Sequence, residues 1–360
     1  MNNKIIIGLS GGVDSTVSMK LLKDKGYNIE ALFMKNWDED DIENECNVKE
    51  DLKYATDACE KLSIKLNTAN FSDQYWNNIF LDFIDNYKSG YTPNPDILCN
   101  KYIKFKVFID HAKLLGFNKI ATGHYAKIVS NNNSYCLQVP KDNKKDQTYF
   151  LHTLNQNQLS KVIFPLADYK KEDVKNIAKI NGFKSYSKKE SMGICFIGNK
   201  KFKNFISKYI KNSPGKILDN NNELIGTHKG MFYTTIGQRE GIGVGGVKNK
   251  KNLPWYVYKK DIKNNILFVC QGNDNSLLFR NKILIKKLHL INNQNNKILK
   301  KTLLCQIRHL GGKYECLVSK IKDNLYCVKT KKPVRAPAPG QSLVIFDDDI
   351  CMGGGIICDD

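Results

Sequence analysis

The chain has 360 residues, 41% of them hydrophobic, so its length suggests two to three domains with real cores. Its 56 Lys and Arg against 36 Asp and Glu give a net charge of +20, which favours a polyanionic partner, although Lys-rich and Asn-rich coding bias could produce the same charge. The chain lacks an apolar run of about 18 residues and a signal-peptide core, which argues against a membrane partner and predicts a cytoplasmic protein with mostly reduced cysteines. Because there is no Cys-x-x-Cys pair, we assign no metal site.

The first predicted elements are a buried strand, a glycine-rich turn and a helix. Lys4–Leu9 is short, apolar and β-branched, as in a parallel strand, and Thr16–Gly26 carries an apolar helical face. Between them, Ser10–Ser15 reads Ser-Gly-Gly-Val-Asp-Ser. Glycines let the backbone approach an anion and N–H groups at a helix start point toward it, so this loop predicts a phosphate site. The loop lacks the Gly-Lys-Ser/Thr ending of a Walker A motif, and an ordinary tight turn is the alternative.

Two predicted strands then end in residues suited to a ligand site. The strand that starts at Ile29 ends at Met34, which could line an adenine pocket or belong to the core. A later strand, 118–125, contains Gly123 and His124 near its carboxyl end. The glycine would permit close approach of a ligand, and the histidine would stand at the functional edge of the sheet.

Two cysteines lie in unusual settings. Thr92–Asn100 enters through two prolines, and Asp96 and Cys99 would share a face if a helical turn begins there. Cys195 sits in an apolar segment bracketed by glycines, and a buried inert cysteine is the alternative.

After about residue 202 the pattern changes to short strands separated by turn residues, among them Met231–Thr234. From about residue 273 onward, short strands at regular spacing predict a small barrel. The predicted fold is therefore an α/β doubly wound domain at 1–202, a small β-rich central domain at 203–272 and a C-terminal β-barrel domain at 273–360.

The loop Ser10–Ser15 resembles the pyrophosphate loop of the PP-loop ATP pyrophosphatases, which have an adenine nucleotide hydrolase-like fold and cleave ATP to AMP and pyrophosphate. The whole chain resembles the bacterial tRNA-specific 2-thiouridylase family. The matching stretches, in the family's order, are Gly8–Ser15, Leu32–Trp37, Thr92–Asn100, Ala121–Tyr125, Lys145–Gln147, Gly193–Gly198, Ile236–Gly246 and Pro339–Ser342.

That resemblance implies a sulfurtransferase that makes 2-thiouridine at the wobble position of certain tRNAs. ATP, with Mg²⁺ on its phosphates, would adenylate the C2 oxygen of the uridine, so that AMP becomes the leaving group. The position of Cys195 would carry a persulfide supplied by a sulfur-donor protein. Cys99 would attack or resolve it and leave a Cys99–Cys195 disulfide, and Asp96 would exchange protons at the base.

The resemblance also implies which residues bind ATP and tRNA. The ATP contacts would be Gly8, Leu9, Ser10, Gly11, Gly12, Val13, Asp14, Ser15, Met34 and Gly123. The tRNA contacts would be Asn94, Pro95, Asp96, His124, Lys145, Asp146, Gln147, Arg308, His309 and Gln341. Glu240 departs from the family pattern, which has a basic residue at that position.

Other kinds of protein fit parts of the sequence. A different PP-loop enzyme, such as an amidating ligase or another tRNA thiolase, would share Ser10–Ser15, but a small-molecule ligase needs neither the positive charge nor the Cys99/Cys195 pair. A basic RNA-binding protein without catalysis leaves the loop unexplained. An iron–sulfur cluster at Asp96, Cys99 and Cys195 would have only two thiolate ligands, so persulfide chemistry is favoured.

Overall fold

The structure is a computed structural model that describes residues 4–37, 48–131, 134–188, 205–245, 250, 252–292, 298–299 and 301–359. Cys195, the predicted persulfide carrier, falls in 189–204 and lies outside the described residues. In the part of the chain that is described, no helix has the length and apolar character needed to cross a membrane.

The helices and strands alternate in the first half of the chain, and strands dominate the second half. The strands are β1 (Lys4–Gly8), β2 (Asn28–Lys35), β3 (Leu66–Asn70), β4 (Lys119–Ala121), β5 (Lys127–Asn131), β6 (Ser134–Gln138), β7 (Val162–Ile163), β8 (Gly215–Leu218), β9 (Leu224–His228), β10 (Trp255–Asp261), β11 (Ile266–Gln271), β12 (Phe279–Leu290), β13 (Leu303–Gln306), β14 (Tyr314–Lys322), β15 (Leu325–Arg335), β16 (Ser342–Asp347) and β17 (Ile350–Ile357). The helices are α1 (Val13–Asp24), α2 (Val48–Lys61), α3 (Ser72–Tyr75), α4 (Leu81–Lys88), α5 (Pro95–Cys99), α6 (Phe108–Leu114), α7 (Thr148–Leu151), α8 (Gln156–Leu159) and α9 (Lys171–Ile180). Two π-helical segments, Trp76–Phe80 and Asn100–Val107, join α3 to α4 and α5 to α6.

The first sheet is fully parallel and has the strand order β3-β2-β1-β4-β7. Helices cover both faces, so the apolar run of β1 is buried throughout: Ile6 packs into one apolar layer, and Ile5 and Ile7 pack into the other. The strand order reverses between β1 and β4, and ligands bind such sheets beyond the carboxyl ends of the strands at that point. The predicted α/β doubly wound domain is confirmed.

The second half contains two further sheets. A four-stranded sheet has the order β10-β11-β8-β9. The strands β12-β15-β14-β13-β16-β17 follow one another, and β17 pairs back to β12, which closes a six-stranded barrel. The predicted C-terminal barrel is therefore confirmed.

One predicted strand is absent, and one strand pairing was not predicted from the sequence. Met231–Thr234 is not a strand, because Met231–Tyr233 forms a 3₁₀ turn closed by a hydrogen bond from Thr234 Oγ1 to the Met231 carbonyl at 2.8 Å. The hairpin β5–β6 extends the barrel sheet, since β6 pairs with β17 through Gln138 and Ile350. That sheet thus joins distant parts of the chain, and the domain boundaries at 202 and 272 stay a prediction.

Candidate active site

The glycine-rich loop lies between β1 and α1, at the carboxyl edge of the parallel sheet. Gly11 has a left-handed backbone with φ of +71°, and a Cβ there would lie 2.2 Å from the Asp51 carbonyl oxygen, so only glycine fits. Ser15 Oγ donates to the Gly12 carbonyl at 3.0 Å and accepts from Ser10 N–H at 3.2 Å. Because Gly12 has no side chain to cap α1, the first N–H groups of the helix are left for an anion.

Asp14, in the first turn of α1, is held by two residues that the sequence analysis did not single out. Lys171 Nζ lies 2.7 Å from both carboxylate oxygens, and Tyr125 OH donates to Oδ1 at 3.0 Å. Lys171 is the first residue of α9 and is buried, whereas its neighbour Lys170 is exposed. The sequence gives no signal that separates two adjacent lysines, and the only pointer to Tyr125 was its place in a matching stretch.

Four other predicted ATP contacts surround the loop. Leu9, just before the loop, and Val13, within it, are buried core residues. Gly8 ends β1 opposite Leu32 of β2, and a Cβ on Gly8 would lie 3.2 Å from both Met34 Cε and the Phe108 ring. The Met34 side chain is half-buried against this layer, so it belongs to the packing of the crevice wall. Their contact with ATP stays a prediction.

The segment 122–125, just past β4, packs directly on the loop. A Cβ on Gly123 would lie 2.8 Å from the backbone N of Ser15, so this glycine is needed for the close approach of α1. The sequence analysis explained Gly123 by the close approach of a ligand. That explanation does not account for the contact with Ser15 in α1. Two residues further along, Tyr125 reaches Asp14.

His124, within the same segment, contacts a second group of polar residues. Its Nε2 lies 3.5 Å from Lys104 Nζ and acts as acceptor, so Nδ1 donates to Thr122 Oγ1 at 2.8 Å. Burial, and secondarily the Lys104 charge, lowers the pKa of His124 well below its ordinary value. The imidazole is therefore neutral at neutral pH.

Asp96 lies in the first turn of α5, as the proline-rich entry requires. The Asn94 side chain caps this helix by accepting from Asp96 N–H at 3.1 Å, and Pro95 occupies the first helical position. Burial raises the pKa of the Asp96 carboxyl, while the charges of Lys104 and His309 oppose that rise. A carboxyl with a raised pKa in a buried site is a candidate acid–base group.

Cys99 is the last residue of α5 and is buried, with 2% of its surface exposed. It packs in the same apolar cluster as Ile97 and Phe105. A helical turn does begin here, so the condition set by the sequence is met and Asp96 and Cys99 stand three residues apart on one helix face. Because Cys195 lies outside the described residues, the pairing of the two cysteines stays a prediction.

Two predicted tRNA-contact stretches meet where the parallel-sheet domain touches the barrel. His309 Nε2 donates to the Asp146 carbonyl at 2.8 Å, and Gln147 Oε1 accepts from Tyr125 N–H at 2.9 Å. Lys145, just before them, is half-buried at the end of a 3₁₀ turn. The barrel thereby brings His309 next to residues 145–147. That stretch contacts Tyr125, which in turn bonds Asp14 of the glycine-rich loop.

Arg308 and Gln341 use their polar groups in contacts between parts of the protein. The Arg308 guanidinium donates to the Ala336 carbonyl at 2.7 Å, and Gln341 Nε2 donates to the Thr92 carbonyl at 2.7 Å. Gln341 thereby positions the entry to α5. Glu240 is exposed. Whether any of these residues contacts tRNA stays a prediction.

Three family profiles match successive parts of the chain. They are described as the tRNA methyl transferase HUP domain at residues 3–199, the tRNA methyl transferase PRC-barrel domain at 203–271 and the aminomethyltransferase beta-barrel domain at 280–357. Their spans correspond to the parallel-sheet domain, the four-stranded sheet and the barrel.

Curated relatives match over nearly their whole length and are named for thiolation. The protein from Vesicomyosocius okutanii is 48% identical over 356 residues, 99% of this chain and 98% of the relative. Those from Francisella philomiragia and Pseudomonas savastanoi are each 45% identical, covering 99% and 98% of this chain and 99% and 94% of the relatives. All three are named tRNA-specific 2-thiouridylase MnmA. With such identity sustained along the length of the chain, it belongs to the tRNA-specific 2-thiouridylase MnmA family.

Proposed function

We propose that this chain is a tRNA-uridine 2-sulfurtransferase that adenylates the C2 oxygen of a wobble uridine with ATP and then replaces that oxygen with sulfur. The segment 122–125 carries the proposal. At one end Tyr125 bonds Asp14 of the glycine-rich loop, and next to it His124 contacts Lys104, whose charge acts on Asp96. The segment 122–125 thus lies between the glycine-rich loop, which would bind the nucleotide, and Asp96, the candidate acid–base group.

In the first step the C2 oxygen attacks the α-phosphorus of ATP, and pyrophosphate leaves. The N–H groups at the start of α1 would hold the phosphates, since a helix N-terminus favours anions. Mg²⁺ fits this setting, because it commonly binds substrate phosphates and water with one or two carboxylates, and Asp14 offers a carboxylate at the loop. When bound, the ion would draw negative charge from the leaving pyrophosphate.

In the second step sulfur displaces AMP. The terminal sulfur of a persulfide on Cys195 attacks C2, and the bond from C2 to the adenylated oxygen breaks. The Cys99 thiolate then attacks the Cys195 sulfur, and the electron pair of the broken S–S bond stays on the transferred sulfur. A Cys99–Cys195 disulfide remains, which two cellular thiols reduce by exchange, leaving as their own disulfide. Asp96, one helical turn before Cys99, is positioned to exchange protons with the base.

The substrate assignment draws on three observations. The net charge of +20 suits a polyanion, and the relatives are named tRNA-specific. A wobble base is single-stranded, so it can leave its stack and reach a recessed group such as Asp96. The proposal also includes a protein that delivers the persulfide sulfur.

The test is mass spectrometry of the wobble nucleoside after incubation with ATP, tRNA and a persulfide-loaded donor protein. We expect one 2-thiouridine for each AMP released, and none without ATP. The matched control is the same tRNA with cytidine at the wobble position, which should gain no sulfur. AMP formation without sulfur on the tRNA would favour a ligase, and tRNA binding without AMP formation would favour a non-catalytic RNA-binding protein.

A further inference from the structure

Thr92 is the point at which both β-rich parts of the protein meet the chain that leads into α5. Its N–H donates to the Pro339 carbonyl at 2.9 Å and its carbonyl accepts from Gln341 Nε2 at 2.7 Å, so both backbone groups bond to the turn before β16 of the barrel. Its hydroxyl lies 3.2 Å from that of Thr235 and shares a hydrogen bond with it. Thr235 lies between β9 and β10, two strands of the four-stranded sheet. All three polar groups of Thr92 are therefore used in contacts with these two parts of the protein.

The hydroxyl of Thr235 is held in place by a turn at residues 235–238. Gln238 Oε1 accepts from Thr235 N–H at 2.9 Å, and Gln238 N–H donates to the Thr235 carbonyl at 3.0 Å. Two further bonds attach the turn to β10: Gly237 N–H donates to the Val257 carbonyl at 2.7 Å, and Val257 N–H donates to the Gln238 carbonyl at 3.0 Å. A hydroxyl carried on a backbone fixed in this way can position the group that it bonds.

The turn 235–238 also packs closely against the barrel. Gly237 has a left-handed backbone with φ of +84°, and a Cβ there would lie 2.5 Å from Ala336 Cβ, so only glycine fits. The turn overlaps the stretch Ile236–Gly246, to which the proposed chemistry gives no role. The turn is thus fixed relative to the barrel as well as to Thr92.

A lysine of β10 makes a second contact with the same piece of chain. Lys260 Nζ donates to the carbonyl of Gly90, two residues before Thr92, at 2.8 Å. The neighbouring Lys259 is exposed, and its ammonium lies 5.4 Å from the centre of the Phe268 ring. The part of the chain that forms the four-stranded sheet therefore holds residues 90–92 at two points.

Residues 90–92 lead directly into the helix that carries the reactive groups. Asn94, whose side chain caps α5, comes two residues after Thr92, and Asp96 and Cys99 follow on the helix. Because the cap sets where the helix begins, a shift of Thr92 would move Asp96 and Cys99 together. Reaction rates are sensitive to such shifts, since a misplacement of about 1 Å can cost about a hundredfold.

We propose that Thr92 and Thr235 are positioning residues, through which the turn 235–238 fixes the entry to α5 and thereby the place of Asp96 and Cys99 in the reaction. Neither threonine touches the substrate, and both act through the helix. The inference rests on the proposed function and gives the part of the chain that forms the four-stranded sheet a task in the chemistry.

The experiment removes the two hydroxyls with Thr92→Val and Thr235→Val, which keep the branched shape of the side chain. In a single turnover at saturating ATP and RNA, formation of 2-thiouridine should slow about tenfold in each variant, while RNA affinity stays within about twofold. The double variant should be no slower than either single variant, because the same hydrogen bond is lost in all three. Thr92→Ser keeps the hydroxyl and should retain the wild-type rate.

The matched control is Thr234→Val, which removes a buried hydroxyl that donates to the Met231 carbonyl at 2.8 Å, within the same part of the chain. This variant should lose similar stability in a thermal melt but thiolate at the wild-type rate. Hydrogen exchange adds a measurement that does not depend on activity. The backbone amides of residues 96–100 should exchange faster in Thr92→Val and Thr235→Val than in Thr234→Val.

Wild-type rates in both Thr92→Val and Thr235→Val, or additive losses in the double variant, would overturn the positioning role. An equal loss of rate in Thr234→Val, or a Thr92→Ser rate as low as that of Thr92→Val, would do the same, as would unchanged exchange at residues 96–100. A wild-type protein that forms no 2-thiouridine refutes the proposed function instead, and the hydrogen-exchange comparison then still tests whether the two threonines fix α5.

Discussion

The two sides of the candidate active site are built in opposite ways. The loop Ser10–Ser15 is contiguous and is held largely by hydrogen bonds between its own residues. The other side assembles Asp96, Lys104, His124 and His309, which come from separate helices, a strand end and the barrel. Nucleotide chemistry is therefore encoded locally, and the side facing the base depends on how the barrel docks. Variants should separate the two: the loop governs AMP formation, and the assembled side governs sulfur transfer and RNA binding.

The sharpest separation is expected from Cys99→Ser. A hydroxyl cannot replace the thiolate that resolves the persulfide, so 2-thiouridine should fall below detection under multiple turnover. AMP formation on tRNA should continue, because the loop is untouched. Both products are measured in the same reaction.

Cys270→Ser is the matched control for this prediction. Cys270 is also fully buried, burial raises its pKa to about 11, and it lies in β11 of the four-stranded sheet. This variant should keep both products. Normal thiolation by Cys99→Ser would remove Cys99 from the chemistry and with it the division between the two sides.

Asp14→Asn should act in the opposite sense and reduce AMP formation by about 10²–10³-fold, the usual cost of removing one group that stabilises developing charge. The amide neither carries the charge that pairs with Lys171 nor attracts Mg²⁺. Asp24→Asn, an exposed position in the same helix paired with Lys20, should retain full activity. A thermal melt shows whether the variant is folded, and AMP formation at the wild-type rate would contradict a role for Asp14 at the phosphates.

Low pH should lower the free energy of unfolding of the protein through His152. Burial lowers its pKa to about 4, assisted by the charges of His289 and Lys101 and opposed by its hydrogen bond to the Tyr149 carbonyl. The unfolded chain binds a proton below its ordinary value of about 6.5, and the folded chain does so only near 4, so stability is lost as pH falls through that window.

The loss from this one group is up to about 3 kcal/mol, at about 1.4 kcal/mol per pH unit. Urea unfolding at pH 7 and pH 5 measures the part lost over that interval, about 2 kcal/mol, and His152→Gln should reduce the difference between the two. Burial also lowers the pKa of His124, so part of the dependence of unfolding free energy on pH should remain in His152→Gln. His111→Gln, at a half-buried surface position, is the control, and an unchanged slope in His152→Gln would assign the acid sensitivity elsewhere.

The smallest effect is expected from Glu240→Lys. The exposed carboxylate is replaced by a cation at a position where the family pattern has a basic residue, so binding at low salt should tighten about two- to fivefold, as for exposed charge contacts. The log–log slope of affinity against salt should steepen by about 0.7–0.9 for the one added phosphate contact. Glu60→Lys, an exposed acid in α2, makes the same change of net charge. Equal shifts in both variants would show that total charge, not position, decides RNA affinity.

Local patterns were sufficient to predict the loop and the parallel strands, and they left a helical turn at Asp96 as a condition. Each depends on residues close in sequence: β-branched runs, adjacent glycines and the two prolines before Asp96. The closed barrel also followed, from the regular spacing of its strands.

The contacts that could not be predicted join residues that are far apart in the sequence. The sequence analysis assigned no element to β5–β6, and the pairing of this hairpin with β17 is set by which sheet edge it meets. Similarly, Lys171 and Lys170 are equivalent in sequence, and only the position of α9 brings one of them to Asp14. The contact between His309 and Asp146 requires the docked barrel.

The pairing of β6 with β17 has a consequence for the order in which the protein forms during synthesis. Leu137 leaves the ribosome long before its partner Cys351, and at about 5–20 residues per second the interval is roughly 10 to 40 seconds. Throughout that time β6 has an open edge, the kind of surface that recruits strands from other chains. Chaperone capture of nascent chains should therefore be strongest after the hairpin emerges, and should end when the final strand docks.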